Sequence, residues 1–97
     1  MSEKLITVAV LIGNSDDKLA QLTWANFCIA LKEAVTDFAE ETFFDGGSSW
    51  ESPRQNACIV FSLKESNLES FRHKLRGLRK FYRQDSVALL VSETEFI

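Results

Sequence analysis

The sequence predicts an α+β sandwich, with two helices covering one face of a four-stranded antiparallel sheet. Three observations lead there. Four short runs rich in β-branched and aliphatic residues, beginning at Leu5, Ala39, Asn56 and Ser86, read as strands. Two longer segments carry apolar residues at helical spacing, one between the first two strands and one between the last two. A chain of 97 residues leaves room for one domain, 1–97, and little accessory structure. The order β-α-β-β-α-β at this size is that of the ferredoxin-like split βαβ sandwich, in which the first and third strands are central.

Leu5–Ile12 (LITVAVLI) holds no charge and ends at Gly13-Asn14, as a buried first strand should. The first helix is expected to start near Thr23, whose hydroxyl can cap it. Its residues Phe27, Cys28, Leu31, Ala34, Val35 and Phe38 fall on one face. Ala39–Asp45 reads as the second strand, with Phe43 and Phe44 on opposite faces. Gly46–Gln55, which contains the lone proline Pro53, reads as a loop. Asn56–Leu63 is the third strand. Ser66-Asn67-Leu68-Glu69 has the serine-x-x-glutamate spacing of a capping box, predicting the start of the second helix. Leu68, Phe71, Leu75, Leu78 and Tyr82 form that helix's apolar stripe, and Ser86–Val91 is the fourth strand.

Composition excludes several classes. Hydrophobic residues at 45% and charged residues at 26% describe an ordinary globular mixture, not a disordered chain. A net charge of −3 argues against general binding to nucleic acid or acidic membranes. No wholly apolar run is longer than that of Val8–Ile12, which is far too short to span a bilayer. Met1-Ser2-Glu3-Lys4 lacks the apolar core of a signal peptide, so a soluble, cytoplasmic protein is expected. Cys28 and Cys58 stand alone and form neither a disulfide framework nor a metal pattern. No Walker loop, dinucleotide fingerprint or nucleophile elbow is present, so no cofactor is expected. The Asp16-Asp17 pair, without a further acidic motif, is too little to predict a metal site.

A sheet covered on one face should alternate apolar and polar residues. These strands do not: Ala57-Cys58-Ile59-Val60-Phe61 and Val87–Val91 are apolar throughout. The plain alternative is that central strands tolerate a few exposed aliphatic side chains. The sharper expectation is a homodimer or higher even oligomer packed sheet against sheet.

The antiparallel order brings three polar segments to one end of the sheet: 13–18, 46–56 and 82–86. Together they supply Asn14, Asp16, Asp17, Trp50, Arg54, Gln55, Asn56, Tyr82, Arg83, Gln84, Asp85 and Ser86. The opposite end offers mainly Lys64-Glu65-Ser66-Asn67. Turn chemistry alone accounts for many loop Asn, Asp and Ser residues. The competing reading is a ligand pocket. There Arg54 and Arg83 would meet an anion, and Asn14, Gln55, Asn56 and Gln84 would donate or accept hydrogen bonds. Trp50 or Tyr82 would stack on a ring, and the N-terminus of the first helix would add its dipole.

Arg72, Arg76, Arg79 and Arg83 recur at steps of four, three and four, forming a basic stripe beside the apolar face of the second helix. Arg72 and Arg76 read as a solvated flank whose stems cover the core edge. His73 points away from the apolar stripe and reads as a surface residue. Cys28, Cys58 and Trp24 read as core residues. No catalytic residue stands out, although Asp16, Asp17 or Asp85 would be the acid/base groups of a small enzyme.

The segments Gly13-Asn14-Ser15-Asp16-Asp17-Lys18-Leu19, Gln55-Asn56-Ala57-Cys58, Tyr82-Arg83-Gln84-Asp85-Ser86 and Glu93-Thr94-Glu95-Phe96 resemble those of a family of short bacterial and bacteriophage proteins with no established activity. The resemblance covers most of the chain. It departs at Ile59, where the family pattern carries an aromatic residue. It implies a small host-directed protein in a phage setting, for instance one that sequesters a nucleotide immune signal. The reading carried forward is a non-catalytic, self-associating module for a small anionic, nucleotide-like ligand. An acid/base enzyme and a protein-interaction subunit working through the apolar sheet face stand as alternatives.

Overall fold

The computed structural model describes residues 3–14, 18–48 and 54–97. In chain order the elements are β1 (Leu5–Gly13), α1 (Gln21–Phe38), β2 (Glu41–Gly47), β3 (Asn56–Lys64), α2 (Leu68–Phe81) and β4 (Ala88–Glu93). The four strands form one antiparallel sheet in the order β2-β3-β1-β4, so β1 and β3 are central as expected.

Strand periodicity decides which side chains enter the core. Ile6, Val8, Val10 and Ile12 of β1 are buried beneath the helices. Val8 lies opposite Phe61 of β3 on one side and Val91 of β4 on the other. The helices add Phe27, Leu31 and Val35 from α1, and Phe71 and Leu75 from α2. Phe27, Phe61 and Phe71 are fully buried, each contributing roughly 1.5–3 kcal/mol through removal of its ring from water. Phe71 lies edge-on to both Phe61 (centroids 5.2 Å apart) and Phe38 (5.5 Å), the geometry that the ring quadrupoles favour.

Among the described residues, no helix covers the other sheet face. Ala9, Leu11, Val60 and Leu90 lie on it, with Leu90 59% exposed. Phe43 and Phe44 do not divide between the faces as expected. A β-bulge falls between Thr42 and Phe44, and both rings are exposed. Phe44 takes the position opposite Val60 on the uncovered face. Phe43 meets Phe96 of the C-terminal segment, whose Thr94 hydroxyl bonds that of Thr7 in β1. An apolar surface outside the core, as the strand pattern foresaw, is therefore present.

Several element ends differ from expectation. Thr23 is not a cap: Ala20 holds that position without a side-chain bond, and the backbone N–H of Trp24 donates to its carbonyl. Ser66 and Glu69 do not form a capping box, because a 3-10 turn (Glu65–Asn67) leads into α2. Asn67 precedes α2 with φ −94° and ψ −2°, not the extended backbone that a side-chain cap needs. Ser66 bonds Glu3 instead, and Glu69 pairs with Arg72. Strand β2 begins two residues late, at Glu41, and takes in Gly46 and Gly47. Gly47 passes so close to β3 that a Cβ there would lie 2.4 Å from the Asn56 carbonyl oxygen. Strand β4 is displaced two residues toward the C-terminus from the expected Ser86–Val91.

Candidate functional site

The ends of β1 and α2, the starts of α1, β3 and β4, and the glycines of β2 meet at one end of the sheet. Asn14, just past β1, is the hub of the first cluster. Its Nδ2 donates to the Leu19 carbonyl and to Gln55 Oε1, both at 2.9 Å, and its Oδ1 accepts from the Leu19 N–H at 2.9 Å. Gln55 is buried and passes the chain on, its Nε2 donating to Gln21 Oε1 at 2.8 Å. One amide thus ties the β1–α1 connection to the start of β3, while the Asn14 N–H donates to the Gln55 carbonyl. Asn56 is exposed. Its backbone N–H donates to Ser48 Oγ at 3.0 Å, and its Nδ2 donates to the Arg54 carbonyl at 3.2 Å.

The second cluster closes α2. Tyr82 is its C-cap, followed by Arg83 at φ 53°, the one described residue other than glycine with positive φ. The Arg83 N–H donates to the Lys80 carbonyl and the Gln84 N–H to the Arg79 carbonyl. That pair of bonds is a Schellman motif, whose left-handed position usually belongs to glycine. Gln84 is buried and its Nε2 donates to the Tyr82 carbonyl at 3.0 Å. The Tyr82 ring is stacked on Phe27, with centroids 4.7 Å apart, and Phe81 lies edge-on to it. The ring proposed to receive a ligand is therefore packed against the core.

The two clusters are linked by an ion pair between Lys18 Nζ and Asp85 Oδ1 at 2.7 Å. Lys18 and Arg83 line an open cleft of about 350 Å³. Among the described residues, the Arg83 guanidinium makes no hydrogen bond or ion pair. Arg54 and Ser86 are exposed at the same end. Asp16, Asp17 and Trp50 lie outside the described residues. The structure thus gathers those of the sequence-selected polar residues that it describes, but divides their work. Asn14, Gln55 and Gln84 brace loops, whereas Arg83 faces solvent. Lys18 and Gln21 were not foreseen as members. Lys18 stands next to the Asp16-Asp17 pair, and that adjacency was the available signal.

Chemistry elsewhere is sparse. Burial pushes the thiol of Cys28, half-buried at the edge of the core, above its ordinary range, with nearby Lys32 opposing the shift; Cys58, expected in the core, instead lies opposite Leu11 on the uncovered face. Among the described residues no helix is long and apolar enough to cross a membrane.

Sheet order, register and the two helices on one face make this a ferredoxin-like α+β fold. The chain is similar to the crystal structure of a dimeric ferredoxin-like protein from an uncultured marine organism, with a TM-score of 0.50 and 10% sequence identity. The match covers 98% of this chain and 93% of the other. No protein-family model matches the sequence, and no curated protein does.

Proposed function

We propose that the protein is a non-catalytic, homo-oligomeric binding module that captures a small anionic, nucleotide-like ligand in the Lys18–Arg83 cleft. One observation carries this reading. Arg83 occupies a left-handed backbone position where a side chain is disfavoured, and its guanidinium engages no other described group. Retaining a long cation where glycine would relieve the backbone supports a role for the charge itself. Lys18 adds a second cation to the cleft. Asp85 is held by Lys18, which favours binding over acid/base chemistry at that carboxylate. The resemblance to bacteriophage proteins extends the proposal to sequestration of a host nucleotide signal.

Self-association belongs to the same proposal. Leu11, Leu90, Phe44 and Phe43 form an exposed apolar surface on the uncovered face, of the kind that monomers seldom leave in water. The similar marine protein is dimeric, which supports self-association here, and the exposed apolar face suggests the sheet as the contact surface. Native mass spectrometry of protein freshly purified from cells tests both parts together. The expected result is an even oligomer carrying a retained anion, which Arg83→Ala releases. A ligand-free monomer refutes the proposal, and turnover of the retained compound would replace the binding module with an enzyme.

A further inference from the structure

Arg72, Arg76 and Arg79 of α2 rim a cleft of about 220 Å³ whose apolar lining is Leu75, Val87 and Leu89. This cleft lies between α2 and β4, apart from the one at Lys18 and Arg83. Strand β4 is an outer strand: β1 pairs with one of its edges, and no described residue pairs with the other. An open edge presents a row of N–H and C=O groups that readily accept another extended chain.

The charges alongside that edge are not fully used within the fold. Arg72 pairs with Glu69, and Arg79 Nη1 reaches the Gln84 carbonyl at 3.4 Å, a long bond. Arg76 is exposed and its side chain has no partner among the described residues. Spacing specifies the ligand further. Positions 72, 76 and 79 rise about 6 and 10.5 Å along the helix axis. Alternate residues of an extended strand are about 6.8 Å apart. The helix steps of about 6 and 4.5 Å are shorter than that spacing, and the long arginine side chains take up the difference, so carboxylates at alternate positions of an added strand would reach the guanidinia while their own methylene stems rest on Leu75, Val87 and Leu89.

We propose that the α2–β4 cleft docks an extended acidic peptide, which adds as a strand to the free edge of β4 and sets alternate carboxylates against Arg72, Arg76 and Arg79. The protein as a whole carries a net charge of −3, so attraction of an acidic chain depends on this local stripe.

The test uses the isotope-labelled full chain and a blocked heptapeptide of alternating glutamate and valine, Glu at both ends. Saturable binding should slow hydrogen exchange along the outer edge of β4. Arg76→Glu should weaken it about tenfold, from the loss of one exposed pair and its replacement by repulsion. Arg83→Ala should leave it unchanged. Where charge reversal disturbs folding, Arg76→Gln gives a smaller loss in the same direction. Three results overturn the proposal. Equal affinity for a backbone N-methylated peptide removes strand addition. Displacement of the peptide by inorganic phosphate at similar concentration makes the site one for a compact anion. Protection of β4 that rises with protein concentration in the absence of peptide assigns the edge to a second copy of the chain.

Discussion

Replacing Arg83 with glycine separates the fold's demand at that position from the ligand's. The residue sits at φ 53° in the turn that ends α2. A left-handed backbone costs a residue with a Cβ about 1–2 kcal/mol, a penalty glycine escapes. Glycine in turn makes the unfolded chain freer, which costs about 0.5–1 kcal/mol. The side chain is exposed and without a described partner, so little packing is lost. Arg83→Gly should therefore stabilise the fold by about 0.5–1 kcal/mol, raising the melting temperature by about 2–8 °C for a domain of this size. Arg83→Ala keeps the Cβ and should melt close to wild type. Both variants should lose about 1.5–3 kcal/mol of binding, roughly ten- to hundredfold, if the guanidinium meets an anion. Thermal denaturation at fixed protein concentration, paired with calorimetric titration of nucleoside mono- and diphosphates, measures both quantities. A lower melting temperature for Arg83→Gly refutes the reasoning, because it would mean that the guanidinium supports the fold. Arg72→Ala, in the neighbouring cleft, should leave nucleotide binding unchanged.

On the uncovered face, Ala9→Glu or Leu90→Lys should dissociate the oligomer without unfolding it, whereas Val8→Asp should unfold the domain, because β1 turns Val8 into the core; sedimentation and circular dichroism distinguish the two. Asn14→Ala should destabilise by about 1–3 kcal/mol, since it leaves the buried Gln55 amide short of a partner, and urea unfolding measures the loss. The hydrogen bond from Lys4, helped by its charge, holds the Glu93 carboxyl below the ordinary range. A depressed folded-state value gives stability that is present above the unfolded value and lost as pH falls through the folded one. The same bond raises Lys4 above its usual 10.5, so its contribution is present below that value and lost at higher pH. Glu93→Gln should flatten both limbs of a urea-midpoint profile taken across pH, a small change because both groups are exposed.

Strand and helix identity were legible because burial leaves a period in the sequence. The charge-free, β-branched run Leu5–Ile12 and the helical stripe from Leu68 to Leu78 could belong to few other elements, and their order left one compact topology. The ends were less legible because they depend on contacts from distant residues. Ser66 and Glu69 have the spacing of a capping box, but Glu65 N–H donates to the Lys4 carbonyl and the chain turns early. Phe43 and Phe44 would divide between faces in a regular strand. The bulge beside them is a property of β2's pairing with β3, which neither phenylalanine encodes alone.

The site was harder to read because an amide in a loop serves a turn and a ligand with the same atoms. Asn14, Gln55 and Gln84 were selected for hydrogen-bonding capacity, and the structure directs that capacity inward: Gln55 and Gln84 are 6% and 3% exposed. Arginine differs in a way that chemistry explains. Its guanidinium carries five donors and a permanent charge, and Gln84's carbonyl or Glu69's carboxylate occupies only part of that capacity at Arg79 and Arg72. Arg76 and Arg83 keep the whole of it, on opposite sides of a Schellman turn. The proposed binding role therefore leans on cations that the fold leaves to solvent, and Arg83 stands out because the backbone beneath it would be better served by glycine.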